Sequence, residues 1–209
     1  MSGHAKGDDA LLTSTTAMDF RHLPPDKSGA AALTTRKVEQ RGARRGAGKS
    51  AGILLWKRDG DALIVLLVHP GGPFWKNKDV GAWSIPKGEY ADDEDPLDAA
   101  KREFAEELGE LPRGEITPLG EIRQKAGKVV TGFALEGDFD AANFKCNSFE
   151  IEWPPRSGKR ASFPEVDRAE WFLADDARAK INPAQAELIE RLEKGFATSS
   201  RAKSRRGRY

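Results

Sequence analysis

The sequence predicts an α+β domain in which a mixed β-sheet is sandwiched between α-helices. Three observations predict it. Two short apolar runs, residues 53–56 and 63–68, flank Asp59-Gly60-Asp61, the pattern of a hairpin closed by a glycine-containing loop. Two segments, near 96–108 and 184–194, change to the 3.6-residue apolar period of a helix that covers one face of a sheet. The order is strands, helix, strands, helix, with no internal repeat, which suits a layered sheet rather than a repeat array. With 209 residues there is material for one ordinary domain with a real core.

Residues 1–50 are rich in Gly, Ala, Ser and Thr, carry Pro24-Pro25-Asp26 and sustain no period, so they are expected to form a disordered basic arm. The folded domain is expected over 51–196. After the hairpin comes a Gly/Pro loop from His69 to Val80, then a short strand around Trp83-Ser84-Ile85. The first helix has Asp95 as N-cap, Pro96 at its first position and Gly109 as its stop. Strands are expected at 117–123 and 128–135, joined at Ala126-Gly127, and again at 147–153 and 168–173. The second helix follows Asn182-Pro183 and presents Ala186, Leu188, Ile189 and Leu192 on its apolar face. Residues 197–209 read as a disordered basic tail.

The formal net charge of +1 conceals a split: residues 1–50 carry +4, residues 195–209 carry +5, and the body between them carries −8. An acidic body is either a solvated surface or a set of carboxylates converging on a cation. No apolar run approaches the roughly 18–20 residues of a membrane span, and Asp8, Asp9 and Asp19 interrupt any targeting pattern. The single cysteine, Cys146, excludes an intramolecular disulfide and a multi-cysteine zinc site. A cytoplasmic protein is expected. Residues 43–50, ARRGAGKS, imitate a phosphate-binding P-loop, but Ala43 stands where the first glycine belongs and a strand, not a helix, follows Ser50.

The chemistry is concentrated between Gly88 and Glu110. At about 100° per residue, Glu103, Glu106 and Glu107 fall within about a 100° arc of the first helix. Leu97, Ala100, Phe104 and Leu108 form the adjoining stripe that would dock on the sheet. Three like charges on one face repel. Arg102 can bridge one of them, or Glu94, but cannot neutralise three. A solvated acidic face and a site for a hard divalent cation both answer the pattern.

Gly88, five residues, Glu94, seven residues, then Arg102-Glu103-Phe104-Ala105-Glu106-Glu107-Leu108-Gly109 resembles the Nudix box, G-x5-E-x7-R-E-U-x-E-E-x-G-U, where U is apolar. Every fixed position matches; the departure is Glu110 at the final apolar position. The resemblance implies the Nudix fold and hydrolysis of a nucleoside diphosphate linked to another moiety, with Mg²⁺ or Mn²⁺ as cofactor. It implies Glu106 and Glu107 as the main metal ligands, the Gly88 carbonyl completing the shell, and Glu103 as a further ligand or the base for the attacking water. Arg102 would orient a glutamate and Glu94 would brace the loop.

Trp83-Ser84-Ile85-Pro86-Lys87-Gly88 resembles the W-x-x-P-K-G sequence of the diadenosine tetraphosphate hydrolases. That implies a dinucleoside polyphosphate as substrate, diadenosine tetraphosphate going to ATP and AMP, with Lys87 beside the metal and the phosphate chain. Trp75, Trp83 and Phe74 are candidates for stacking a base. Among later carboxylates (Glu150, Glu152, Glu165), Glu165 is the first candidate for an additional ligand or base, and residues 154–161 form a basic loop that would reach distal phosphates. His69 is expected to be structural or solvent-facing, like His4 and His22, and Cys146 has no partner for nucleophilic chemistry. The alternatives are a nucleoside triphosphate or nucleotide-sugar pyrophosphatase, or a non-catalytic protein of this fold holding RNA through its basic ends. A nucleotide substrate, no membrane, and a monomer or homodimer complete the expectation.

Overall fold

The computed structural model describes residues 48–206, with side chains to 196. The arm to residue 47, with His4, His22 and the first five residues of the discarded P-loop imitation, lies outside the described residues, as do 207–209.

The two apolar runs form strands β1 (Lys49–Asp59) and β2 (Ala62–Pro70), paired antiparallel around the Gly60 turn. β1 starts two residues before the expected boundary. Its residues 49–56 run parallel to β5 (Val129–Glu136), which in turn pairs antiparallel with β4 (Ile116–Arg123). β2 pairs antiparallel with β8 (Val166–Leu173), giving the mixed order β4-β5-β1-β2-β8. Because β1 is longer than the part that meets β2, Ser50–Gly52 are free to pair with the short strand β3 (Lys87–Glu89). The strand expected at 83–85 is therefore displaced: Trp83 and Ser84 make only isolated bridges, to Ile181 and Val68, and the pairing segment is Lys-Gly-Glu.

Both faces of β1 are buried, which is why it reads as a continuous apolar run rather than an alternating one. Ala51, Ile53 and Leu55 face helix α1 (Pro96–Leu108), which buries Ala100, Phe104 and Leu108 there. Leu54 and Trp56 face the opposite layer. That layer holds α2 (Ala174–Lys180) and α3 (Ala186–Arg206), with Leu188, Ile189 and Leu192 against the sheet. α2 is not expected from the sequence. α3 continues past the expected end near 194, so the backbone of 197–206, read as disordered tail, is helical. Strand β7 (Arg160–Pro164) is also additional: it pairs with β6 (Ser148–Glu152) as a separate hairpin, and part of the expected basic loop is its turn. Among the described residues no helix is long and apolar enough to cross a membrane.

Candidate active site

Helix α1 fixes the register of the acidic cluster. Asp95 Oδ1 accepts the Leu97 and Asp98 N–H groups at 2.8 and 3.2 Å, Pro96 opens the first turn, and Gly109 leaves the helix at φ 100 while donating to the Ala105 carbonyl. With Phe104 and Leu108 docked on the sheet, Glu103 turns toward β3. The Ile53 N–H donates to the Pro86 carbonyl at 3.1 Å, so Lys87 and Gly88 run along the edge of β1. A Cβ at Gly88 would lie 1.8 Å from Glu103 Oε2, so only glycine lets this carboxylate rest on the β3 backbone. Glu103 is consequently 2% exposed, not a solvated residue.

Arg102 does more than bridge one carboxylate. Its Nε and Nη2 donate to the two oxygens of Glu94 at 2.9 and 3.1 Å, a bidentate fork. Its Nη1 donates to Glu103 Oε1 at 2.6 Å and Glu106 Oε1 at 3.2 Å, and Nη2 reaches the Glu89 carbonyl at 3.3 Å. These acceptors, Glu94 first, raise its already high pKa.

Glu107 is held differently. Its Oε2 accepts the Lys87 N–H at 3.1 Å, and loss of hydration pushes its carboxyl up to about 8. The Lys87 charge and N–H oppose that rise, while Glu103 and Glu165 add to it by repulsion. Desolvation likewise lowers the Lys87 ammonium, against the attraction of Glu107, Glu103 and Glu89. Burial thus drives both members of this pair toward their neutral forms.

Glu165 comes to Glu107 through the backbone. Asn147 N–H donates to the Glu106 carbonyl (3.2 Å), Glu165 N–H to the Asn147 carbonyl (2.8 Å), and Gly71 N–H to the Glu165 carbonyl (2.9 Å). The bonds are made by main chain, so no side chain in the sequence announces them. A cleft of about 480 Å³ beside α1 is lined by Arg102, Ala105, Glu106, Gly109 and Lys145–Asn147, another region without a sequence signal. Glu150 and Glu152 are engaged in the β6–β7 hairpin, with Arg160 at 3.2 Å and the Gly158 N–H at 2.8 Å.

The other candidates divide. Trp83 is corrected: it is 1% exposed, edge-on to His69 and Phe172, with its indole N–H on Asp79, so it has no free face for a base. Trp75 is 37% exposed and Phe74 61%, both on the loop after β2. His69 is structural: it is fully buried, with Nδ1 2.6 Å from Asp167 and Nε2 2.8 Å from the Lys78 carbonyl. The half-buried Cys146 thiol donates to the Val166 carbonyl at 3.2 Å.

The donor chemistry suits a hard divalent cation. The groups concerned are carboxylate oxygens, and desolvation together with the charges of Glu103 and Glu165 disfavours ionised Glu107, where a cation would reverse the sign. In the arrangement seen, Arg102 occupies Glu103 and Glu106, and among the described residues no three acidic, His or Cys side chains are gathered closely enough to hold an ion.

The NUDIX domain profile matches residues 46–192. A curated relative, the nucleoside triphosphate pyrophosphatase/Nudix hydrolase fusion protein of Bifidobacterium longum (strain NCC 2705), is 35% identical over 118 residues, covering 53% of this chain and 24% of that one. The chain thus spans about a quarter of that relative's length. Among solved structures, a C. elegans Ap4A hydrolase binary complex superposes with TM-score 0.50 at 18% identity, covering 71% of this chain and 98% of that one. The NUDIX domain of Shewanella oneidensis NrtR, complexed with ADP ribose, does so with TM-score 0.52 at 18% identity, over 78% and 97%. At these identities the superpositions speak to the fold. The profile match covers the sheet, α1 and the start of α3, and by it this chain belongs to the Nudix family.

Proposed function

We propose that this chain is a divalent-metal-dependent pyrophosphohydrolase acting on a nucleoside diphosphate-linked substrate, best a dinucleoside polyphosphate, with diadenosine tetraphosphate cleaved to ATP and AMP. The observation that carries the proposal is the desolvated Glu107 carboxyl, opposed by the charges of Glu103 and Glu165 and attracted by Lys87, with Glu103 buried against Gly88. Glu106, Glu107 and the Gly88 carbonyl would hold Mg²⁺ or Mn²⁺, which when bound supplies positive charge to the phosphate oxygens. Glu103, buried and bonded to Arg102, would orient an attacking water or accept its proton, and Glu165 is the second candidate for that role. Lys87 would supply the cation that meets a multiply charged phosphate chain, and Trp75 is retained as a stacking residue.

The folded unit is taken as residues 49–196, with the arm and the far end of α3 outside the chemistry. The runner-up is a nucleoside triphosphate or nucleotide-sugar pyrophosphatase. It draws on the curated relative's name and on the ADP ribose bound by the NrtR domain. The test is a panel of diadenosine tetraphosphate, nucleoside triphosphates and ADP-ribose with and without Mg²⁺, products separated by chromatography. ATP plus AMP, dependent on Mg²⁺, is expected. Brisk ADP-ribose hydrolysis without tetraphosphate cleavage selects the runner-up, and no metal-dependent hydrolysis removes the enzyme reading.

A further inference from the structure

We propose that the cleft beside α1 seats one end of the substrate's phosphate chain, and that Lys145 is the cation that binds it there. The inference rests on the pyrophosphohydrolase reading above. The cleft, about 480 Å³, falls in the size range of small-molecule sites. One wall is the face of α1 that carries Arg102, Ala105 and Glu106 and ends at Gly109; the other is the segment Lys145–Asn147. Among the described residues no aromatic ring and no large apolar side chain lines it, so it gives a base nothing to stack on. What it presents is polar: a guanidinium, a carboxylate, an ammonium and an amide.

Only one of the two cations has donors to spare. Every N–H of Arg102 is taken: Nε and one Nη2 hydrogen by Glu94, both Nη1 hydrogens by Glu103 and Glu106, and the other Nη2 hydrogen by the Glu89 carbonyl. Lys145 is exposed and, among the described residues, pairs with no carboxylate. The Asn147 side-chain amide is likewise without a partner among them. The segment that carries both is nonetheless fixed. The Cys146 thiol donates to the Val166 carbonyl at 3.2 Å, the Asn147 N–H to the Glu106 carbonyl at 3.2 Å, and the Glu165 N–H to the Asn147 carbonyl at 2.8 Å. A flexible ammonium thus starts from a held backbone at the rim of the cleft, which lowers the ordering cost of binding an anion.

Position gives this seat its place along the substrate. Glu106 and Glu107 are consecutive on α1 and about 100° apart around it. Glu107 accepts the Lys87 N–H and so faces β3, whereas Glu106 lines the cleft. Lys87 and Lys145 therefore stand on different sides of the adjacent carboxylates. A chain of several phosphates held at those carboxylates extends into the cleft and meets Lys145. A ligand whose two phosphates both sit at the carboxylates leaves the cleft empty. The Glu106 carboxylate repels a phosphate, so the seat fills only when a divalent cation offsets that charge.

The test reads binding without turnover, by calorimetry with the full chain and Mg²⁺. The probes are a methylene-bridged diadenosine tetraphosphate, which resists hydrolysis, and α,β-methylene-ADP, which carries two phosphates. Lys145→Gln is expected to weaken the tetraphosphate analogue about fivefold and the diphosphate less than about twofold, and Lys145→Arg to restore the tetraphosphate. Ala105 is exposed, so Ala105→Leu should fold normally; by filling the floor of the cleft it should weaken the tetraphosphate analogue to a similar degree. Lys101→Gln removes a charge from α1 outside the cleft and should change neither affinity. Equal losses for both probes in Lys145→Gln overturn the proposal, as does a loss just as large in Lys101→Gln. So does tetraphosphate affinity that neither Lys145→Gln nor Ala105→Leu changes, or no binding of the analogue by the wild type. Failure of the proposed reaction shows separately, as a wild type that binds the analogue with this dependence on Lys145 yet hydrolyses no diadenosine tetraphosphate.

Discussion

Replacing Glu107 by glutamine separates what its carboxylate does for the reaction from what it does to the fold. Its carboxyl is pushed from 4.5 to about 8, first by desolvation and then by Glu103 and Glu165. A carboxyl whose pKa rises on folding binds more protons in the native state than in the unfolded chain. The stability of the metal-free wild type therefore falls as pH climbs from about 4.5 to about 8. At ~1.36 kcal/mol per pKa unit, the whole interval is worth about 5 kcal/mol, of which about 3 kcal/mol has been lost by pH 7. Glutamine has nearly the same shape, keeps an oxygen for the Lys87 N–H and cannot ionise.

In EDTA at pH 7, Glu107→Gln should thus be more stable than the wild type by about 2–3 kcal/mol, and should lack the wild type's decline between pH 5 and 8. Mg²⁺ should rescue the wild type more at pH 8 than at pH 5, because a cation binds the ionised carboxylate, and should do little for the variant. At the same time kcat should fall by roughly 10³-fold. Urea unfolding at pH 5, 6, 7 and 8, in EDTA and in Mg²⁺, reads the stability half, and product formation reads the other. A variant less stable than the wild type in EDTA at pH 7, or one with the same pH slope, would refute the electrostatic argument. Full activity with Mg²⁺ places the chemistry elsewhere.

Arg102→Lys keeps a charge but loses the fork that spans both oxygens of Glu94 while reaching Glu103 and Glu106. Turnover should drop by about 10–100-fold, with a higher Mg²⁺ requirement and an unchanged circular-dichroism spectrum; near wild-type kinetics would show that the fork is dispensable. Lys87→Ala should reduce kcat/KM for diadenosine tetraphosphate more than for ADP-ribose, since more phosphate charge lies near a desolvated ammonium. Equal losses would remove Lys87 as a selector of chain length.

Helix α1 was legible almost to the residue because its cap, its opening proline, its stopping glycine and its apolar stripe all agree. The hairpin β1–β2 was legible from two short apolar runs on either side of a glycine turn, and the pair β4–β5 from two segments joined at Ala126-Gly127. α2 was not, because its buried positions are Ala174 and Ala177, and alanine carries no amphipathic signal. β7 alternates only Ala161 and Phe163 against polar neighbours, and β3 is Lys-Gly-Glu, a strand made by the free edge of β1 rather than by its own composition. Trp83 and Trp75 are the same residue type, yet one lies in the core and the other is exposed. What separates them is the packing of His69, Phe172 and Asp79 around the first, which sequence spacing does not contain.

Glu165 lies far outside the box in sequence, yet the main chain brings it back to helix α1. Its backbone is tied to Asn147 and Gly71, and Asn147 is tied to Glu106, so the chain re-enters the acidic cluster by hydrogen bonds that any residue bearing an N–H and a carbonyl can make. Those bonds pin residues 147 and 165, the two feet of the β6–β7 hairpin. Everything between them, strands and basic turn alike, extends away from the carboxylates without being needed to position them. Change at the tip therefore leaves in place the backbone bonds that return Glu165 to the level of Glu106. The backbone in this way separates α1 and β3, which fix Glu103 and Glu107, from the hairpin, whose feet alone tie Glu165 to Gly71 and, through Asn147, to Glu106.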